Sequence, residues 1–117
     1  MKRSKKNEKQ KAIQEQINKK CLMAIHDYNI TADSYDGMKE TQLNSCTAWY
    51  FETKDCLVLR SYRTIVALYD KNNNNFYDIL RYVYGYTATS AQHIAKFRNL
   101  LRYKGYINSY TCFYRYY

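Results

Sequence analysis

The chain has 117 residues, 46% of them apolar and 25% charged, with 15 tyrosines, three glycines and no proline. This length fits one small domain with a modest core, and the composition excludes collagen-like and Gly/Pro-rich disordered chains. The formal net charge of +9 excludes acidic mimicry of DNA and favours a negatively charged partner. No apolar run approaches the ~20 residues of a membrane span, so we expect a cytoplasmic protein without a membrane partner.

The first predicted element is a basic helix. Apolar residues recur at intervals of three or four between Ile13 and Ile25, with lysine, glutamine and asparagine between them, which is typical of an amphipathic helix. We place this helix from about Glu8 to Ile25. The chain is therefore divided into a basic helical arm, residues 1–26, and a single α+β domain, residues 27–117.

The middle of the chain favours strands. Aromatic and β-branched residues are concentrated in the runs 48–51, 56–59, 64–69 and 76–84, with a turn rich in Asn between the last two. The connections are too short for crossovers, which predicts an antiparallel meander over residues 46–84.

A second helix and a last strand follow. Thr87, Thr89 or Ser90 is suited to begin the helix, whose apolar face extends from Ile94 to Leu101, and Gly105 is suited to end it. Residues 106–117 alternate like an edge strand, which opens the possibility of a homodimer by strand pairing. The predicted fold class is α+β: a basic N-terminal helix, an antiparallel sheet of three to five strands, and one helix packed on the sheet.

Two segments resemble a known family. Residues 61–67 (Ser-Tyr-Arg-Thr-Ile-Val-Ala) and 86–97 (Tyr-Thr-Ala-Thr-Ser-Ala-Gln-His-Ile-Ala-Lys-Phe) are similar to motifs of small uncharacterised domains from bacteriophages and their gut hosts. The resemblance covers residues 56–102, with one extra residue before His93. It implies a phage or mobile-element origin and action in the cytoplasm of a bacterial host cell. Since small proteins of that origin often block host defences, it also suggests an anti-CRISPR protein.

Enzymatic chemistry is not expected. His93 follows Ser90 by three residues, which would suit a nucleophile and base, but no oxyanion loop accompanies them. We interpret Thr89 or Ser90 as a helix cap and His93 as a packing residue. The four cysteines lack close pairs, which favours free, mostly buried thiols and no metal site. No catalytic residue and no cofactor are predicted.

The C-terminal third combines tyrosines with arginines. Ten of the 15 tyrosines lie in residues 77–117, and residues 79–117 contain six basic residues and no acid. Tyrosine rings can stack on bases or fill a protein interface, while arginines hold phosphates. The predicted binding residues are Arg81, Tyr86, Arg98, Arg102, Tyr103, Lys104, Tyr110, Tyr114, Arg115 and Tyr116, with Lys5, Lys6 and Lys9 of the arm.

These observations predict a binding protein. The leading hypothesis is a non-enzymatic inhibitor of a host defence nucleoprotein, an anti-CRISPR protein that binds a CRISPR effector or its guide RNA or DNA surface. The alternative is a general nucleic-acid-binding accessory protein of a phage or mobile element.

Overall fold

The structure is a computed structural model that describes residues 2–28, 39–44, 46–85 and 87–117, with side chains from Glu8 onward. The α+β class is confirmed, with an N-terminal helix and a helix packed on a sheet. The elements are α1 (Lys2–Asp27), β1 (Thr41–Gln42), β2 (Ala48–Glu52), β3 (Cys56–Ser61), β4 (Thr64–Asp70), β5 (Asn75–Asp78), α2 (Leu80–Val83), α3 (Ala88–Tyr103) and β6 (Cys112–Arg115).

The sheet departs from the prediction in size and in direction. It has six strands in the order β1-β2-β3-β4-β5-β6, whereas three to five were predicted. The first four pairings are antiparallel, but β5 and β6 are parallel, so the prediction of a purely antiparallel sheet is wrong at this pair. The reason is α3, which carries the chain from the end of β5 back to its beginning. A helical crossover of this kind joins parallel strands.

Residues 76–84 were predicted as one strand, and this prediction is wrong after Asp78. β5 ends at Asp78, whose Oδ1 accepts a hydrogen bond from the backbone N–H of Leu80 at 3.1 Å. The N–H of Ile79 donates to the carbonyl of Val66 in β4 at 2.9 Å. An aspartate that bonds the backbone two residues ahead turns the chain. The short helix α2 therefore begins where the prediction continued the strand.

Both faces of the sheet are covered by helices. On one face, apolar residues of α3 pack on the sheet: Ile94, Phe97 and Leu101 against Leu57, Leu59 and Phe76. On the other face, α1 contributes Cys21 and Ala24 to a second cluster with Val58, Leu68 and Tyr77. β3 and β4 are buried almost throughout because they lie between these two layers. One helix on the sheet was predicted, and α1 adds another.

Helix α1 has two different halves. The side chains of residues 8–13 are all exposed, so this half extends beyond the sheet. Farther along, the side-chain amides of Gln14 and Asn18 donate to the carbonyls of Arg115 at 2.9 Å and Tyr117 at 3.0 Å. The Oδ1 of Asn18 also accepts from the N–H of Tyr117 at 2.9 Å. These bonds satisfy backbone groups of Arg115 and Tyr117 on the outer edge of β6. The division of the chain into an arm, residues 1–26, and a domain, residues 27–117, stays a prediction.

Within the described ranges, no helix combines the length and the apolar character needed to cross a bilayer.

Candidate nucleic-acid interface

The end of β3 and the first turns of α3 meet in a buried polar cluster. Ser61 at the end of β3 lies with its Oγ 2.8 Å from Nδ1 of His93 and 2.9 Å from Oγ of Ser90, both on α3. All three residues are at most 3% exposed. We call Ser61, Ser90 and His93 the serine–histidine cluster. It fastens the β3–β4 hairpin to the first turns of α3.

The chemistry of this cluster is that of a structural link. Burial lowers the pKa of His93, with a smaller contribution from Lys96, so the neutral imidazole is favoured. Thr87, one of the three candidates, caps α3, because its Oγ1 accepts from the N–H of Ser90 at 3.2 Å. The three polar side chains satisfy one another, and no buried side-chain nitrogen or oxygen lacks a hydrogen bond in the described part of the chain.

A second polar cluster lies at the carboxyl ends of β5 and β6. Three arginines from three different elements line a cavity of about 110 Å³: Arg81 of α2, Arg98 of α3 and Arg115 of β6. The remaining lining residues are Asp78, Leu80, Ala91 and Ile94. We call this cavity the arginine pocket. In sheets with helical crossovers, the carboxyl ends of neighbouring parallel strands are a preferred position for ligands.

The lining of the arginine pocket has more positive than negative groups. Three arginines and one aspartate line it, a formal charge of +2 for these residues. Asp78 Oδ2 lies 3.5 Å from Nε of Arg115, while its Oδ1 accepts from the N–H of Leu80. Burial raises the pKa of Asp78, and the N–H of Leu80, Arg115 and Arg98 oppose this rise. The Arg115 side chain is 55% exposed, so the pocket opens to solvent.

Tyrosine rings surround the pocket. The guanidinium carbon of Arg81 lies 4.4 Å from the centre of the Tyr117 ring, and the rings of Tyr82 and Tyr116 meet edge to face at 5.2 Å. Tyr82 and Tyr117 are about half exposed. Both side chains are therefore partly accessible to a partner beside the arginines.

Tyr117 lies between the basic helix α1 and the arginines of the C-terminal third. Besides its contact with Arg81, it lines a shallow groove with residues of α1: Gln10, Lys11 and Gln14. The exposed basic half of α1 thus begins beside the arginine pocket. Residues that are about a hundred positions apart form one positively charged surface.

The predicted binding residues fall into separate groups. Arg81, Arg98 and Arg115 share the pocket, and Tyr116 lies beside it. Tyr114 stacks on Tyr77 at 5.3 Å on the α1 face.

The remaining predicted residues lie elsewhere. The exposed residues beyond the pocket are Arg102, Tyr103 and Lys104 at the end of α3 and Tyr110 before β6. Lys9 is exposed on α1. Tyr86 and the side chains of Lys5 and Lys6 lie outside the described residues.

Sequence reasoning missed four members of this surface: Lys11, Asp78, Tyr82 and Tyr117. Asp78 had a signal, because it is the last acidic residue before a segment without acids. Tyr82 and Tyr117 had no such signal. The sequence does not distinguish them from the tyrosines near them, such as Tyr84 and Tyr116, because only the fold decides where each side chain points.

The cysteines take no part in this surface. Cys21 and Cys56 are buried, Cys46 is partly buried and Cys112 is exposed, and all four are free thiols. Burial raises the pKa of Cys21 to about 12, so it is a neutral core residue. In the described residues, no three histidine, cysteine or acidic side chains form a group that would hold a metal ion.

Comparisons of the chain with models of protein families, with curated proteins and with solved structures find no match. The interpretation of the surface therefore depends on its own geometry, which is an open, positively charged pocket beside exposed aromatic rings.

Proposed function

We propose that the chain is a non-enzymatic protein that binds nucleic acid through the arginine pocket and the tyrosines around it. The observation that carries this proposal is the convergence of Arg81, Arg98 and Arg115 on one cavity, next to exposed tyrosine rings. Guanidinium groups match phosphate oxygens in pairs of parallel hydrogen bonds, which favours arginine wherever phosphate is held.

The tyrosines favour a single strand over a duplex. Each base of a single strand offers a flat face to an aromatic ring, and such stacking is insensitive to sequence. In a duplex these faces are stacked on one another, and only the backbone and the base edges in the grooves are accessible. Tyr82 and Tyr117 are exposed within reach of the pocket-lining Arg81, which suits a partner that offers phosphates and bases together.

Helix α1 supplies further positive charge. Lys9 and Lys11 are exposed in the half of α1 that extends beyond the sheet. A strand held at the pocket can follow this half of the helix past Tyr117. Each phosphate that a lysine or arginine neutralises releases counterions, so binding weakens steeply as salt rises.

The target within a cell is proposed from the family resemblance. A CRISPR effector exposes a guide RNA and a displaced DNA strand, which are ligands of the chemistry described above. Inhibition of such a host defence nucleoprotein in the bacterial cytoplasm is the specific form of the proposal. A general nucleic-acid-binding accessory protein of a phage or mobile element is the alternative form.

Binding to labelled single-stranded DNA and RNA, measured by fluorescence anisotropy at several salt concentrations, tests the proposal. We expect Arg98→Ala to weaken binding about tenfold, as for loss of one charge-assisted phosphate contact. Lys54→Ala is the matched control, because it removes one exposed positive charge at the turn between β2 and β3. Equal effects of both variants, or no binding at any salt concentration, would contradict the proposal.

A pull-down from a lysate with an active CRISPR system separates the two forms of the proposal. Capture of effector protein together with its guide RNA, lost in the Arg98→Ala variant, supports the inhibitor. Capture of nucleic acid alone, removed by nuclease, supports the accessory protein. A protein partner that survives nuclease and still binds Arg98→Ala would assign the basic surface to an acidic protein patch instead.

A homodimer through the outer edge of β6 stays a prediction. Gln14 and Asn18 already bond to this edge at Arg115 and Tyr117, so strand pairing there requires α1 to move. Light scattering over a concentration series measures the oligomeric state directly.

A further inference from the structure

We infer that the arginine pocket selects a phosphate monoester that carries one proton, because it places the carboxylate of Asp78 among three arginines. In a nucleic acid, this group is a terminal phosphate. The inference rests on the proposed function and adds that the chain recognises strand ends in preference to internal phosphodiesters.

The size of the pocket favours an end group. Its volume of about 110 Å³ is well below the roughly 300–1,000 Å³ of pockets that hold drug-sized ligands. One phosphate group therefore enters, while the attached sugar and base stay outside. An internal phosphodiester would have to bring a sugar on each side of the phosphate to the same small cavity. The exposed rings of Tyr82 and Tyr117 are placed to meet the base that remains outside.

Asp78 supplies the chemical selection. An ionised carboxylate only accepts hydrogen bonds, so it repels a phosphodiester or a sulfate, which have no proton to donate. A phosphate monoester has a second pKa of about 6 and keeps one proton on part of its population near neutral pH. Its P–OH group can donate to Oδ2 of Asp78, while its other oxygens accept from the guanidinium groups. Oδ1 of Asp78 is already occupied by the N–H of Leu80.

Asp78 is not fully paired with an arginine inside the pocket. Its distance of 3.5 Å to Nε of Arg115 exceeds the ~2.7–2.9 Å of a strong charge-assisted hydrogen bond. Arg115 is also more than half exposed and can turn toward a ligand. Among the described residues, the charged and titratable groups that act on Asp78 are Arg98 from α3, Arg115 from β6 and the neutral thiol of Cys21 from α1, while Arg81 from α2 lines the same pocket. Burial raises the pKa of Asp78, which favours sharing of a proton with the ligand.

The test compares oligonucleotides of one sequence with a 5′-phosphate, a 3′-phosphate or hydroxyl ends, bound to the full chain. At about pH 6 we expect at least one phosphorylated form to bind about tenfold tighter than the hydroxyl form. This preference decreases toward pH ~8, as the monoester loses its proton. Inorganic phosphate competes better than sulfate. In Asp78→Asn, the preference falls to about twofold or less, because the amide no longer repels a phosphodiester.

The outcomes separate the two proposals. Equal binding of phosphorylated and hydroxyl oligonucleotides, with the Arg98→Ala effect intact, overturns the inference and leaves the proposed function in place. Binding of inorganic phosphate without binding of any oligonucleotide assigns the pocket to free phosphate and overturns both. The pH profile of the unmodified chain needs no variant, so a preference that rises with pH overturns the inference even if Asp78→Asn does not fold.

Discussion

Two polar clusters share helix α3, and they differ in net charge and in exposure to solvent. The serine–histidine cluster contains neutral groups whose hydrogen bonds end on one another, and its residues are at most 3% exposed. The arginine pocket contains three positive groups and one negative group, and it is open at Arg115. The first cluster is complete without a ligand, whereas the second is lined by more positive than negative groups and opens to solvent.

This difference teaches how to separate structural from functional polar residues. Ser90 and His93 line one side of α3, and Ala91 and Arg98 line the adjacent side. Burial alone would have selected the serine–histidine cluster, which is the more deeply buried of the two. The convergence of three arginines on an open cavity selects the arginine pocket instead.

The largest effect should come from removing the charge of the pocket. Replacing Arg81, Arg98 and Arg115 together by glutamine keeps polar side chains but leaves no cation in the cavity. We expect the affinity for single-stranded nucleic acid to fall about a hundredfold or more, by analogy with losing several charge-assisted contacts. Thermal unfolding of the same variant provides the control for folding. Retention of the affinity would place the binding surface elsewhere.

The arginines could be found in the sequence, but their convergence could not. Composition identified Arg81, Arg98 and Arg115 among ten candidates in the C-terminal third. Arg115 reaches the pocket only because β6 is parallel to β5, which places it opposite Asp78. The alternation of residues 106–117 predicted a strand but carries no information on its direction. That direction is set by the crossover through α3.

The predictions for α3 were confirmed except for its cap. Thr87, one of the three candidates, caps the helix, so the interpretation of Thr89 or Ser90 as the cap is wrong. The helix ends at Tyr103, close to the predicted end. Gly105 has a φ of 87°, a conformation that glycine adopts without strain. The start and the end of a helix depend on residues that are adjacent in the sequence, so the sequence alone can indicate them. Ser61 was not linked to His93 in advance, because their contact joins positions 32 residues apart.

A smaller effect is expected in the serine–histidine cluster. Ser61→Ala removes the partner of both Ser90 and His93 and leaves buried polar atoms unsatisfied. We expect the free energy of unfolding to fall by about 1–3 kcal/mol, with the affinity for nucleic acid unchanged. Chemical denaturation measures the change, and Ser109→Ala at an exposed position is the control. A loss of binding without a loss of stability would move this cluster into the functional surface.

The stability of the protein should depend on pH through His93 of the serine–histidine cluster. Because burial lowers the pKa of His93 below its ordinary value of 6.5, the unfolded chain takes up a proton at a higher pH than the folded chain. The contribution of His93 is therefore complete above pH 6.5 and decreases as pH falls from 6.5 toward the folded pKa. The denaturant concentration at the unfolding midpoint should fall with decreasing pH in the unmodified chain, and this fall should be smaller in His93→Gln. His26→Gln, at an exposed position, should retain the full fall.

The smallest effect concerns the one acidic group in the pocket. Asp78→Asn removes the repulsion between the carboxylate and any phosphodiester. We expect the affinity for an oligonucleotide with hydroxyl ends to rise about two- to fivefold, the range of a partly exposed charge pair. Anisotropy titrations measure the change, with Asp55→Asn in the turn between β2 and β3 as the control. A decrease would mean that Asp78 chiefly positions Arg115.

The hydrogen bonds from Gln14 and Asn18 to the last residues of the chain link segments 99 to 101 positions apart. They form only when the two ends of the chain are already together, so α1 should be among the first units to open locally. Tyr117 touches both Asn18 and Arg81, which connects that opening to the pocket. A strand that orders Tyr117 should therefore slow amide hydrogen exchange in α1, and immobilising α1 should tighten binding by the same factor.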